Sequence, residues 1–203
     1  MNIPSVSLEQ KILSLLMNNK SIDNIDFTII LSEKEKLSII KYAIVLENID
    51  CIKKIENHIN LSEENLKDFI FYAIENKSTL ILDHFDNKID LLMTKEDFIV
   101  SYCWKAVDFS NQYAIDKIML KKSLNLDDYP RLISKYEQNK PMIDYFFQYQ
   151  KQPMTKFMKT FEFAKMPNEV RNELAQKIKL LNQKILLDLE LKKKQKSKSF
   201  IKV

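Results

Sequence analysis

Apolar residues recur along the first 150 residues at helical spacing, and the pattern repeats. Three alanines, Ala43, Ala73 and Ala106, lie 30 and 33 residues apart. Nine and twelve residues after each alanine come further apolar side chains, namely Ile52 and Ile55, Leu82 and Phe85, and Ile115 and Ile118. Apolar residues spaced three or four apart share one face of a helix. Each unit therefore predicts a helix, a short turn and a second helix.

Polar turns separate the two helices of each unit, and polar links separate the units. Each turn contains an asparagine, a residue that tolerates the left-handed conformation and can end a helix in place of Gly; these are Asn48, Asn76 and Asn111. The links place Ser62 and Thr94 before acidic residues, which is typical of helix N-caps. Ser134 continues the frame, with Ile143 and Phe146 at the same two offsets, and Ser14 is a candidate first member.

This arrangement resembles the ankyrin repeat. The resemblance is carried by Tyr42-Ala43 with Ile52 and Ile55, and by the segment 72–76 with Leu82 and Phe85. The family repeats every 33 residues or so. The likeness covers roughly residues 8–150 and implies an all-α array of helix pairs that binds a protein partner. The family's Thr-Pro-Leu-His start and its glycines are absent, which predicts shortened links without projecting β-hairpin fingers. The alternative is an irregular helical bundle with coincidental spacing.

Residues 151–191 are predicted to form a helical capping segment. Four of the five prolines fall within 130–167, and seven aromatic residues crowd the stretch from Tyr145 to Phe163. The favoured interpretation is that these aromatics close the end of the array, and the alternative is that they line a groove for a peptide. A long helix from Asn168 to about Leu191 follows, with an apolar row of Val170, Leu174, Ile178, Leu181, Ile185 and Leu189. Docking of this row on the chain itself is favoured over pairing with another helix.

Residues 192–203 are predicted to be a basic, frayed or disordered tail. The candidates for electrostatic contact in it are Lys192, Lys193, Lys194, Lys196 and Lys198. Lysines of this kind attract nucleic acid, an anionic surface or an acidic protein without reading a base sequence. Charge is distributed unevenly along the whole chain. Residues 1–150 hold 18 basic and 23 acidic residues, whereas residues 151–203 hold 14 and 5.

The amino-acid composition excludes several kinds of catalytic and cofactor-binding site. A hydrophobic fraction of 45% with 30% charged residues is typical of a globular protein. The chain contains no Gly, so it cannot form glycine-rich phosphate loops, the dinucleotide fingerprint or a Gly-x-Ser-x-Gly elbow. We expect no cofactor, no metal and no catalytic residue. The pair Cys51 and His58 is only a weak candidate for a nucleophile and its base. Residues 86–97 resemble a calcium-binding loop in length and acidity but lack the required residues at its key positions. Asp127, Asp128 and Glu137 could hold a cation only if the fold brought them together.

The sequence thus predicts a non-enzymatic protein-binding module, an adaptor or scaffold of the kind also found among secreted microbial or viral effectors. Its partner-binding candidates on the first helices and links are Lys41, Glu47, Lys67, Glu75, Lys77, Lys105 and Asp108. The alternatives are a nucleic-acid-associated subunit that uses the basic C-terminal part, or an enzyme with an unrecognised carboxylate site. No apolar run reaches the length of a membrane span and the start lacks the pattern of a signal peptide, so a cytoplasmic location is expected, in a host cell if the protein is an effector.

Overall fold

The computed structural model describes residues 7–18, 20, 22, 25, 31–122 and 124–200, with side chains as far as residue 195. Within these ranges the chain forms twelve α-helices, three short 3-10 helices and no strand, so the all-α class is confirmed. The helices are α1 (Leu8–Met17), α2 (Glu33–Val45), α3 (Ile49–Glu56), α4 (Glu63–Glu75), α5 (Thr79–His84), α6 (Asp86–Leu92), α7 (Glu96–Asp108), α8 (Gln112–Lys121), α9 (Pro130–Ile133), α10 (Lys140–Phe147), α11 (Phe161–Lys165) and α12 (Asn168–Phe200). The 3-10 helices are Leu126–Asp128, Ser134–Glu137 and Phe157–Lys159.

The chain divides into two compact units, Met1–Ala114 (unit 1) and Ile115–Val203 (unit 2). The sequence analysis placed this boundary at residue 150, which differs from the structure. The reason is that Leu126 and Asp127 are bonded to residues between 150 and 157. The backbone N–H of Leu126 donates to Gln150 (2.9 Å), and Asp127 accepts from backbone N–H groups of residues 155–157.

Unit 1 repeats one helix-pair design. The first helices α2, α4 and α7 pack side by side, and the second helices α3 and α5 contact each other in the same order. Ala43, Ala73 and Ala106 are fully buried, because a methyl group allows two helices to approach closely. The predicted partners nine and twelve residues later are also fully buried within this unit at Ile52, Ile55, Leu82 and Phe85.

The turn inside each pair has the same geometry three times. The residue four positions after each alanine is left-handed: Glu47 (φ 52°), Lys77 (φ 54°) and Ser110 (φ 50°). The next residue donates its backbone N–H back to the alanine carbonyl over 2.8–2.9 Å, which closes the helix end as Gly-containing caps do. The prediction that asparagine would be left-handed is therefore wrong. Residues other than Gly adopt this strained left-handed conformation because three backbone hydrogen bonds fix the turn.

The asparagine side chains of these turns form capping and connecting hydrogen bonds. Asn48 caps α3 by accepting from Cys51 N–H (2.9 Å), and Asn76 donates to the carbonyl of Tyr72 (2.8 Å). Asn111 is buried, donates to the carbonyl of Ile74 (2.9 Å) and accepts from Ala114 N–H (3.0 Å). One amide side chain thus caps α8 and fixes it to the preceding repeat.

Hydrogen bonds and ion pairs about one repeat apart connect neighbouring helix pairs. Ser78 donates to Glu47 (2.8 Å), and His84 Nε2 lies 2.8 Å from Glu56 Oε2. Equivalent links join Lys88 to Glu56, Lys95 to Glu63, Lys105 to Glu75 and Tyr113 to Asp83. Since these partners are 28–32 residues apart, successive pairs stack in register.

The predicted caps were partly right. Ser62 accepts from Asn65 N–H (3.1 Å) at the start of α4, as predicted. Thr94 is not the cap of α7: Lys95 occupies that position, and the Thr94 hydroxyl donates backward to the carbonyl of Leu91 (2.8 Å). A hydroxyl at the end of α6 therefore satisfies that helix instead of opening the next one.

Unit 2 consists of short helices and the long helix α12, whose first half is bonded to the preceding part of the unit through Glu173, Lys177 and Asn182. Four of the six residues of the predicted row on α12 are buried, namely Val170, Leu174, Ile178 and Ile185, so this part of the row docks on the chain itself as predicted, whereas Leu181 is half-buried and Leu189 is exposed. The helix then continues to Phe200, so the prediction that it ends near Leu191, with a disordered segment from residue 192, is wrong as far as residue 200. Residues 192–200 lack Pro and Gly, and Lys and Gln have high helix propensity, which favours continuation.

Candidate partner-binding groove

An open groove of about 310 Å³ lies on the first helices of unit 1. Lys41 comes from α2, Lys105 comes from α7, and α4 contributes its exposed side through Asp68, Phe71, Tyr72 and Glu75. These α4 positions share one helix face, because they are three or four residues apart, whereas Phe69, Ile70, Ala73 and Ile74 point into the core. One face of α4 therefore lines the groove and the opposite face is buried.

Three of the seven predicted partner-binding residues meet in this groove: Lys41, Glu75 and Lys105. The sequence analysis missed Asp68, Phe71 and Tyr72. The signal was available, since Phe71 and Tyr72 occupy the same positions relative to Ala73 as Lys41 and Tyr42 occupy relative to Ala43. Tyr72 was used only as part of the resemblance to the ankyrin repeat and Phe71 was not considered, whereas the structure leaves both partly exposed.

Charged and aromatic contacts hold the groove in shape. Lys105 pairs with Glu75, and its ammonium group lies 5.3 Å from the centre of the Phe109 ring. Phe71 stacks on buried Phe98, with ring centres 5.7 Å apart and an interplanar angle of 12°. These contacts join α4 to α7, so they hold two of the three helices that line the groove in place.

The other four predicted residues lie outside the groove. Glu47 and Lys77 are exposed in the left-handed turns, and Asp108 is exposed at the end of α7. Lys67 lies 2.8 Å from Glu63, one helical turn away. Hydrogen bonds from Lys67 and Lys95 lower the pKa of Glu63 to about 2. Lys67 therefore contributes to the charge pattern at the start of α4.

The cysteine and histidine candidates are not arranged as a catalytic pair. Cys51 is buried, and burial raises the pKa of its thiol to about 12, whereas His58 is exposed. Burial of Glu56 acts to raise the pKa of its carboxyl, but hydrogen bonds from His84 and Lys88 outweigh that effect and lower it. These two bonds join α3 to α5 and α6 of the next repeat through one carboxylate.

Asp127 stabilises a turn of unit 2. Its carboxylate accepts backbone N–H groups from Thr155 (2.7 Å), Lys156 (2.8 Å) and Phe157 (2.7 Å). Its neighbour Asp128 pairs with the Lys156 ammonium group at 2.8 Å. Over the part of the chain that the structure describes, no group of three or more His, Cys, Asp or Glu residues is arranged to hold a metal ion.

The predicted electrostatic residues Lys192, Lys193 and Lys194 are exposed on α12. Lys196 and Lys198 belong to the same helix, but their side chains lie outside the described residues. Among the helices described, none is long and apolar enough to cross a membrane.

The comparisons with known proteins found no relative: no family model matches the chain, and no match was found among curated proteins or solved structures.

Proposed function

We propose that this chain is a protein-binding module, an adaptor or scaffold, that holds its partner on the first-helix groove of an ankyrin-like array in unit 1. The observation that carries the proposal is the convergence of six side chains from three successive first helices on one open groove. Two of them are aromatic, a residue type enriched at protein interfaces, and the charged side chains around them provide a polar rim.

Exposed apolar side chains follow Lys41 in the sequence. Tyr42 and Val45, on α2, are 38% and 45% exposed, and Leu46, directly after the helix, is 39% exposed. Surface tyrosines are frequent at binding hot spots because a ring buries a large area while its hydroxyl stays hydrated. This surface offers a partner an apolar contact next to the charged groove.

The array is suited to recognition because its framework is rigid. The repeated αL turns and the bonds between neighbouring pairs fix the helices that carry the groove residues. A surface that is ordered before binding loses less conformational entropy when the partner arrives. Variable side chains on a fixed framework are the way in which repeat proteins acquire binding specificity.

Site-specific photo-cross-linking tests the proposal. A benzoylphenylalanine placed at Tyr72 reports on the groove, and one at Lys53, exposed on α3, reports on another surface of the same repeats. In lysate of the source cells we expect the Tyr72 probe to capture a defined protein and the Lys53 probe to give no product. The captured protein is then purified and titrated against the unmodified chain to show saturable binding. Capture of the same protein from both positions, or a lack of saturable binding, would overturn the proposal.

A further inference from the structure

A second groove, of about 370 Å³, lies wholly within unit 2, between the α10 region and α12. Its floor is apolar and its rim is charged. Phe147 and Ile185 are each 7% exposed in the floor, next to Leu181 and Leu189. The rim includes Lys151, Lys184 and Lys192.

The groove begins where the buried row of α12 loses its cover. Leu174 and Ile178 are fully buried and Ile185 is nearly so, but Leu189, one turn later, is 41% exposed. Every described side chain from Leu186 to Gln195 is exposed, although the backbone stays helical to Phe200. A row of core residues thus runs outward onto an accessible helix, where it can be covered by another apolar row.

The charge of the groove rim indicates which kind of partner would bind there. The charged residues that line the groove are Lys151, Lys184 and Lys192 against Asp144 and Asp188. Of the two carboxylates, Asp144 already accepts from Lys177 at 2.5 Å. The rim therefore presents net positive charge on both sides of an apolar floor. A second copy of α12 would bring the same lysines against each other, so a partner with the opposite charge fits better.

We propose that this groove binds an acidic amphipathic helix of a partner protein. Its apolar side chains would cover Phe147, Ile185 and Leu189, and its carboxylates would face Lys151, Lys184 and Lys192. This is the helix-in-groove mode of recognition, in which a helical apolar row provides affinity and flanking charge provides orientation. The site is separate from the groove in unit 1, so the chain has two chemically different docking surfaces.

The probe is a fluorescein-labelled peptide of about 16 residues, four to five helical turns, with leucines on one face and glutamates on its flanks. Its binding to the full chain is measured by fluorescence anisotropy. The groove variant is Leu189→Glu with Lys192→Glu. The matched control is Leu187→Glu with Lys193→Glu, which changes the same residue types and the same charge on α12 at exposed positions that do not line the groove.

We expect saturable binding to the wild-type chain, at least about tenfold weaker binding to the groove variant, and a change of less than about twofold for the control. Circular dichroism of both variants checks that the helix persists. If both variants bound the peptide equally weakly, the binding would be due to non-specific attraction by lysines, and the proposal would be overturned. Failure of the peptide to saturate, tighter binding of duplex DNA or phosphatidylserine vesicles than of the peptide, or a wild-type dimer that the groove variant dissociates would also overturn it.

Discussion

The turns of unit 1 and those of unit 2 satisfy their backbone groups by different means. In unit 1, each turn bonds to its own helix pair: a left-handed residue follows the helix, and the next N–H returns to the alanine carbonyl. In unit 2, the segment 155–157 is held by the carboxylate of Asp127, about 30 residues earlier. Both units have side-chain bonds between residues about 30 apart, but the turns of unit 1 are closed by a repeated backbone geometry, whereas the segment 155–157 of unit 2 is held by one carboxylate.

The two units also differ in charge. Unit 1 contains 12 basic and 18 acidic residues, and unit 2 contains 20 and 10. The acidic residues of unit 1 are used partly inside the array, where Glu56, Glu63 and Glu75 accept from lysines of the next repeat. The excess lysines of unit 2 are exposed on α12. The two surfaces should therefore select partners of different charge.

The largest expected effect comes from Ala73→Asp. Ala73 is fully buried between packed helices, so the substitution places a carboxylate where no partner is available and where its volume does not fit. We expect a loss of about 4 kcal/mol or more in the free energy of unfolding of unit 1, measured by urea denaturation. Ala164→Asp, at an exposed position in unit 2, should change stability by less than about 0.5 kcal/mol. Equal stability of the two variants would refute the repeat frame.

Asp127→Ala should have the next largest effect, this time in unit 2. The substitution leaves three buried or half-buried backbone N–H groups without their carboxylate acceptor. We expect a loss of about 3 kcal/mol by urea denaturation, against about 1 kcal/mol or less for Asp128→Ala, whose ion pair is exposed. If Asp128→Ala proved as costly as Asp127→Ala, the contrast between the two kinds of turn would fail.

The same carboxylate makes unit 2 sensitive to acid. Burial acts to raise the pKa of Asp127, but the three backbone N–H bonds outweigh burial and lower it. The stabilisation is therefore complete above the unfolded pKa of about 3.9 and is lost as pH falls through the lower folded pKa. Urea titrations between about pH 5 and 2 should show a smaller acid-dependent loss in Asp127→Asn than in wild type. Parallel curves would show that Asp127 is not the group involved.

Lys77→Gly should stabilise unit 1 by about 0.5–1 kcal/mol. Lys77 has a φ of 54°, which Gly adopts without the steric cost that a Cβ imposes. Asn76→Gly is the control, because Asn76 has a φ of −87°, so Gly there adds entropy to the unfolded chain and removes the side-chain bond to the Tyr72 carbonyl. Thermal melts of the two variants should shift in opposite directions. A destabilised Lys77→Gly would mean that the turn is not left-handed in solution.

The smallest effect is expected from removal of residues 192–203. The described side chains of this segment are exposed, so its loss removes little buried area. The free energy of unfolding should change by less than about 0.5 kcal/mol, whereas helical circular dichroism should fall in proportion to the residues removed. Loss of the cooperative transition would mean that these residues belong to the core of unit 2.

The regular part of the molecule could be predicted from sequence because its information is local. The spacing after Ala43 and Ala73 located the helix pairs, and Ser62 identified the start of α4. The left-handed positions could not be assigned, since Glu47, Lys77 and Ser110 share no chemical property that favours that conformation. Their strain is compensated by bonds formed only in the folded turn.

The errors in unit 2 have a different cause. Nothing near Asp127 in the sequence indicates that it accepts from residues 155–157, so the division at residue 150 was placed too late. For the groove in unit 1, charge and the repeat frame identified Lys41, Glu75 and Lys105, but the partial exposure of Phe71 and Tyr72 depends on how α4 packs against its neighbours. Packing of that kind is not encoded in the periodicity of a single helix.

The most direct test of partner binding at the first-helix groove compares two charge reversals within one repeat. Lys41→Glu alters the groove, and Lys53→Glu makes the same exchange at another exposed site, on α3. With the partner identified by cross-linking at Tyr72, the dissociation constants are measured by calorimetry. We expect Lys41→Glu to weaken binding at least about tenfold and Lys53→Glu to leave it within about twofold of wild type. Equal affinities for the two variants, or a greater loss with Lys53→Glu, would contradict the assignment of the partner to this groove.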